Sequence, residues 1–266
     1  MTRASLRRIF ALVLRYWYLL QGSWPRIVDL VYWPTVQMLM WGFLQVYLAE
    51  KSSAMALAGG TFIGSVLLWD ILFRGQIGFS VSFLEEMWSR NLANLMMTPL
   101  RVWEFIAALM VMSVIRLAIG FVPVSLMAIA FFGFNLWGLG IALAAFFANL
   151  IVTSWAIGLI ASGVVLRNGL GAEALVWSIP FLLLPLACVY YPVEVLPAWL
   201  QPLSLALPPT HVFEGMRTLI LEQRFDAGEM LWAAGLNAVC FAAAVAAFVA
   251  FLKSSRRAGS LLQLGE

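Results

Sequence analysis

The chain has 266 residues, 63% of them hydrophobic and only 11% charged, with a mean hydropathy of +0.94 and a net charge of +3. Soluble domains are about half apolar and about a quarter charged, so this composition excludes a soluble enzyme, a nucleic-acid reader and a disordered chain. A spanning helix takes about 20 apolar residues. The expected fold is therefore all-α: a polytopic membrane protein with six transmembrane helices, forming a single domain over 1–266 with no soluble domain.

Residues 3–20 do not read as a span. At 100° per residue Leu6, Ile9, Phe10, Val13, Trp17 and Leu20 share one face, while Arg3, Arg7, Arg8 and Arg15 fall on the other. That is the pattern of a helix lying in the membrane surface. A signal peptide is the rival, but Arg15 interrupts the apolar stretch and no small-residue cleavage site follows. After a turn at Gly22-Ser23-Trp24-Pro25, spans are expected at about 27–49, 56–80, 99–132, 136–166, 172–191 and 229–252. A polar tip at 50–53 joins the first two. Thr98-Pro99 reads as an N-cap followed by proline at the first helical position. Pro180 and Pro185 are placed to kink the fifth span.

Lys and Arg set the orientation. With the N-terminus inside, the inner segments hold eleven of them and the outer segments three, Lys51, Arg217 and Arg224; Arg74 and Arg116 lie within spans. Both termini are then cytoplasmic, and 192–228 is external.

Cys188 and Cys240 sit in apolar runs and read as small hydrophobes. One histidine, His211, cannot make a multi-His metal site, and neither a catalytic nor a metal constellation is expected. Lys51 and Lys253, the two lysines, lack the Gly-Lys-Ser/Thr context of a phosphate-binding loop, so the chain has no ATPase site of its own.

Three groups of residues are candidates for function. The first lies between spans two and three. Ser82-Phe83-Leu84-Glu85 fits a capping box, opening a short amphipathic helix that runs to Thr98. Its apolar face is Leu84, Met87, Trp88, Leu92, Leu95 and Met96. Glu85, Glu86, Ser89, Arg90 and Asn94 are polar, with Glu86, Arg90 and Asn94 expected near water. The segment is either a plain surface helix or a docking helix for a soluble partner.

The second group is 192–228, proline-rich and half apolar. Two short helices there suit an external loop or a lid that dips into the membrane face, since irregular backbone at that depth needs protein or a water-filled cavity beside it. The third group is the intramembrane charges. Asp70 and Arg74, four apart, can pair on one helix face, and Arg116 is placed to meet them from span three. Tryptophans near span ends read as interfacial anchors.

The layout resembles the membrane (permease) subunit of type-2 ABC transporters, the export-permease family, over essentially the whole chain. Arg90-Asn91-Leu92 and Leu95-Met96-Met97-Thr98-Pro99-Leu100 resemble that family's linker before span three. The stretch from Tyr191-Pro192 through Glu194 to Leu196-Pro197-Ala198-Trp199-Leu200-Gln201 resembles its "FP…LP.WL" pattern, with Tyr191 where Phe is common. Pro208-Pro209-Thr210-His211 and Glu214-Gly215-Met216-Arg217 resemble its "P.TH…E..R" pattern.

The resemblance implies a permease that dimerises, a homodimer in the simplest case, above two copies of a separate ABC ATP-binding subunit. That subunit would hold ATP and Mg; this chain would bind no cofactor and no nucleic acid. Glu85, Glu86, Trp88, Arg90, Asn91, Leu92 and Asn94 would form the coupling helix seated in the ATPase. Pro192, Glu194, Pro197, Trp199, Thr210, His211 and Glu214 would belong to the external gate. The setting would be a bacterial inner membrane, with lipid around the spans. A membrane lipid-processing enzyme or a scramblase without ATPase is the alternative reading. A secondary transporter would need a proton or sodium relay, and the spans offer few unpaired carboxylates.

Overall fold

The computed structural model describes residues 2–51 and 59–258. Among these there is no strand. The helices are α1 (Arg3–Gln21), α2 (Trp24–Lys51), α3 (Gly59–Trp88), α4 (Leu92–Met97), α5 (Val102–Phe132), α6 (Ile141–Asn168), α7 (Ala174–Leu186), α8 (Gln201–Leu205), α9 (Pro208–Glu222) and α10 (Ala227–Ala258). Short 3-10 turns cover Leu136–Leu139, Leu170–Ala172 and Val193–Val195. Half of the tip expected at 50–53, Ser52 and Ser53, lies outside the described residues, while Glu50 and Lys51 still belong to α2.

Among the described residues, five helices are long and apolar enough to cross a membrane: α2, α3, α5, α6 and α10. The fifth of the six expected spans, 172–191, is shorter in the structure. Its helix α7 has 13 residues, about 20 Å at 1.5 Å per residue, against a hydrocarbon core of about 30 Å. It ends at Leu186, and Cys188 then adopts a left-handed φ of 52°. Span three also begins later than expected. Arg101 is the N-cap, its backbone N–H donating to Glu104 Oε2 at 3.0 Å, and Thr98 caps the end of α4 instead. A Glu at the third helical position can satisfy the start of a helix, which Pro99 cannot.

The helix α3 is the axis of the bundle. Its most apolar stretch is 83% buried, against 17% for α2 and 22% for α10. It is wrapped by α2, α5, α6 and, toward its start, α9. In lipid, apolar side chains gain little from leaving the solvent, so packing and interhelical hydrogen bonds hold the bundle. One such lock joins α10 to α6. Asn237 donates to Asn149 O at 3.0 Å and to Asn149 Oδ1 at 3.1 Å, and Thr153 donates to Asn237 Oδ1 at 2.7 Å.

Two apolar clusters sit at opposite ends. One gathers Tyr16, Phe83, Met87, Phe105 and Phe248; the other gathers Leu68, Phe121, Phe146, Phe213 and Met230. The first cluster lies at the end of the bundle that carries α1, the last turns of α3, α6 and α10, and the first turns of α2 and α5. Most exposed arginines collect at this arginine-rich end.

Helix α1 packs on the bundle through Ser5, Ile9, Leu12, Tyr16 and Leu20. Leu6, Phe10 and Trp17 face outward instead of joining the same buried face as Ile9 and Leu20. The apolar side of the amphipathic pattern is thus split: one stripe packs on protein, and its neighbour is free to enter lipid.

Candidate functional site

The arginine-rich end is built around the last turn of α3. That helix does not stop at Ser82. The Ser82 hydroxyl donates to the Gly78 carbonyl at 2.9 Å, a mid-helix bond back to i−4. The expected capping box is therefore absent: Ser82 and Glu85 are interior residues of a spanning helix. Phe83, Leu84 and Met87 continue its buried face without a break.

The chain turns only at Ser89–Asn91. Arg90 adopts a left-handed φ of 53°, its N–H donates to Met87 O, and the Asn91 N–H donates to Glu86 O. This is a helix-ending bend of a kind usually made with glycine. The single amphipathic helix expected over 82–98 is thus two pieces, the end of α3 and the six-residue α4, joined by a bend at Arg90.

Glu85 and Glu86 are buried, and Glu86 does not lie near water as expected. Two arginines converge on Glu85 Oε1: Arg26 from α2 at 3.0 Å and Arg116 from α5 at 2.9 Å. Glu86 is held by Arg15 from α1 at 3.2 Å and by Asn91 Nδ2 at 2.8 Å. A third carboxylate, Glu104 in the first turn of α5, accepts a two-pronged contact from Arg8, at 2.6 and 2.8 Å. Charge-assisted, bidentate bonds of this kind fix orientation as well as adding energy. Burial raises the Tyr16 phenol well above its ordinary value, and the charge of Glu86 adds to the rise.

Acids are therefore tucked in and neutralised, and Trp88, Ser89, Arg90 and Asn94 are left exposed around the turn. Leu92 is buried and anchors α4. Trp88 Nε1 donates to Glu173 Oε2 at 3.0 Å, tying the turn to the start of α7.

Deeper in the bundle, Arg74 donates to Asp70 Oδ1 at 2.8 Å, the pairing expected from their spacing. Arg116 does not join them. It packs beside Gly78 and reaches toward the arginine-rich end to Glu85. Asp70 Oδ2 is buried without a partner.

At the opposite end, 192–222 folds as a 3-10 turn followed by α8 and α9. Thr210, His211 and Glu214 form one seam. Thr210 donates to Ser204 O at 2.7 Å, His211 lies 2.6 Å from Glu229 at the start of α10, and Glu214 Oε1 accepts from the Val193 N–H at 2.8 Å and from Arg217 at 2.7 Å. Pro192, Glu194, Pro197 and Trp199 stay on the surface, Trp199 with 78% of its area exposed. Sequence reading missed Arg8, Arg15, Arg26, Glu104 and Glu229 as members of these clusters. One local sign was available, a Glu three residues after Arg101 at a helix start.

A family model described as ABC-2 type transporter matches residues 7–221. The chain belongs to the ABC-2 type transporter family. It is a multi-pass transmembrane subunit of an ABC transporter, a transport component of a family whose members work with an ATP-binding subunit. The matched region of this ABC-2 subunit starts within α1 and ends within α9, so it takes in both the α3–α4 turn and the Thr210–His211–Glu214 seam; α10 lies beyond it. A comparison with curated proteins found no match.

Proposed function

We propose that this ABC-2 subunit is the membrane half of an ATP-driven exporter. Two copies pair as a homodimer, and each docks one copy of a separate ATP-binding subunit, which holds the ATP and Mg. The arginine-rich end faces the cytoplasm of a bacterial cell, with both termini there and the α8–α9 hairpin outside the inner membrane. Helix α7 with its flanking turns makes the fifth of six crossings, in addition to α2, α3, α5, α6 and α10.

One observation carries the reading. Trp88, Arg90 and Asn94 stand exposed at the end of the most buried helix, whose last turn is joined by ion pairs to α1, α2 and α5. With Glu85, Glu86, Asn91 and Leu92 behind them, they form the coupling element. A push on this turn moves α3, about 45 Å long at 1.5 Å per residue, as a rod. Near its far end α3 packs on α9, so closure of the ATP-binding subunits reaches the gate residues Pro192, Glu194, Pro197, Trp199, Thr210, His211 and Glu214.

The test is purification from native membranes under mild detergent, followed by reconstitution. An ATP-binding subunit should co-purify, and substrate should leave the cytoplasmic side only with ATP. Lipid movement by the isolated chain without nucleotide would favour a scramblase and contradict the proposal.

A further inference from the structure

The imidazole of His211 sits between two acceptors. Its Nε2 lies 2.9 Å from the Leu205 carbonyl oxygen, and its Nδ1 lies 2.6 Å from Glu229 Oε2. A carbonyl only accepts, so Nε2 carries a proton. A neutral ring has just that one, and its Nδ1 lone pair would then face a carboxylate oxygen at contact distance. A second proton between Nδ1 and Oε2 makes the contact attractive, whichever atom holds it. The arrangement therefore binds one proton more than a neutral imidazole beside an ionised carboxylate.

Three elements meet at this ring: the end of α8 through Leu205, α9 through His211, and the first turn of α10 through Glu229. Trp232, one turn along α10, lies parallel to it with centroids 6.5 Å apart. The helices are in close contact here, since a Cβ on Gly215 would come within 2.9 Å of Met230 Cε. His211 is buried, while the Glu229 side chain is 33% exposed and gives the proton a route to water.

The other charges nearby are engaged elsewhere. Glu214 and Arg217 on α9 pair with each other, and Arg217 also donates to Cys188 O. Asp226 accepts from the Gly228 and Glu229 N–H groups and lies 3.7 Å from Arg224. Glu194, within the 3-10 turn, is exposed, and the facing parts of α3 and α6 carry no charged residue among the described residues.

We propose that His211 and Glu229 form a proton-operated latch that holds the α8–α9 hairpin against the start of α10 and lets go as the pH rises. The sign follows from linkage: the latched form binds the extra proton, so acid favours it and base favours release. The geometry stands apart from the transport reading, but the consequence rests on it: with the hairpin as an external gate, the gate would open more readily at high external pH.

His211 is the chain's one histidine, so protein with 15N-labelled histidine in nanodiscs gives a single pair of imidazole signals. The second reporter is a spin-label distance between Leu221→Cys on α9 and Leu231→Cys on α10, with Cys188 and Cys240 replaced. As the buffer is taken from acid to alkaline, the imidazole signals should report loss of the proton shared with Glu229, and the distance should lengthen or broaden over the same interval. In Glu229→Gln a side-chain amide can donate to the neutral Nδ1, so the contact should hold and the distance stay constant. A wild-type distance that ignores pH while the ring titrates would overturn the latch, and so would a Glu229→Gln distance that still lengthens. If the distance follows pH but export does not, the latch stands and the gate reading falls.

Discussion

Asp70 and Arg74 pair inside the bundle, the guanidinium donating to one carboxylate oxygen while the other is left without a partner. Removing one partner of a buried pair leaves an uncompensated charge and costs about 3–5 kcal/mol. Asp70→Ala should therefore lower accumulation and thermal stability in detergent, while protein that does fold keeps its transport rate. Normal accumulation with lost transport would point to a substrate contact instead. This pair was readable from an i,i+4 spacing on one helix. The partners of Glu85 and Glu86 were not, because Arg15, Arg26 and Arg116 lie 31 to 71 residues away and meet them only through tertiary packing. Ser82 misled for a related reason. Ser-x-x-Glu reads the same at a helix start and in a helix interior, and only the burial of Phe79, Phe83 and Met87 tells them apart.

Helix α2 meets the bundle along a narrow strip, Pro34, Met38 and Gly42, yet it crosses α5 closely. A Cβ placed on Gly120 would lie 2.5 Å from the Leu30 carbonyl oxygen. Backbone yields less readily than a side chain, so Gly120→Val should force the two helices apart. Overpacking of this sort costs about 1–3 kcal/mol, and it should appear as a lower unfolding temperature and loss of the Arg26–Glu85 pair. An unchanged unfolding temperature would show that α2 does not press on α5 at Gly120. Element existence was well readable: long apolar runs gave α2, α3, α5, α6 and α10, and the arginine pattern gave α1. Element ends were less so. Span three starts at Val102 because Glu104 caps it, and the fifth run yields only the 13 residues of α7 before the chain bends at Cys188.

For the whole molecule, the excess of Lys and Arg at one end argues an orientation. Single cysteines at Ala198 and Ser254, both exposed, test it in a variant lacking Cys188 and Cys240. An impermeant thiol reagent on intact cells should label position 198 and spare 254; the reverse pattern would invert the topology. The family and the transmembrane character followed from composition and from short motifs whose order survives in sequence. The clustering of charges did not, since it depends on how six elements converge on one end.

Coupling is tested most directly at the residues the α3–α4 turn leaves exposed. Arg90→Glu with Asn94→Glu alters the exposed rim without touching the buried pairs of Glu85 and Glu86. Arg90→Gly removes the side chain and relieves a left-handed backbone that costs a non-glycine residue about 1–2 kcal/mol. The measurement is ATP hydrolysis and substrate export, side by side, in the complex reconstituted with its ATP-binding subunit. Both variants should fold and insert, Arg90→Gly with slightly raised stability, yet retain less ATP-binding subunit and export less substrate per ATP. If both hold the subunit and export at the wild-type ratio, the α3–α4 turn is not where force enters the membrane helices.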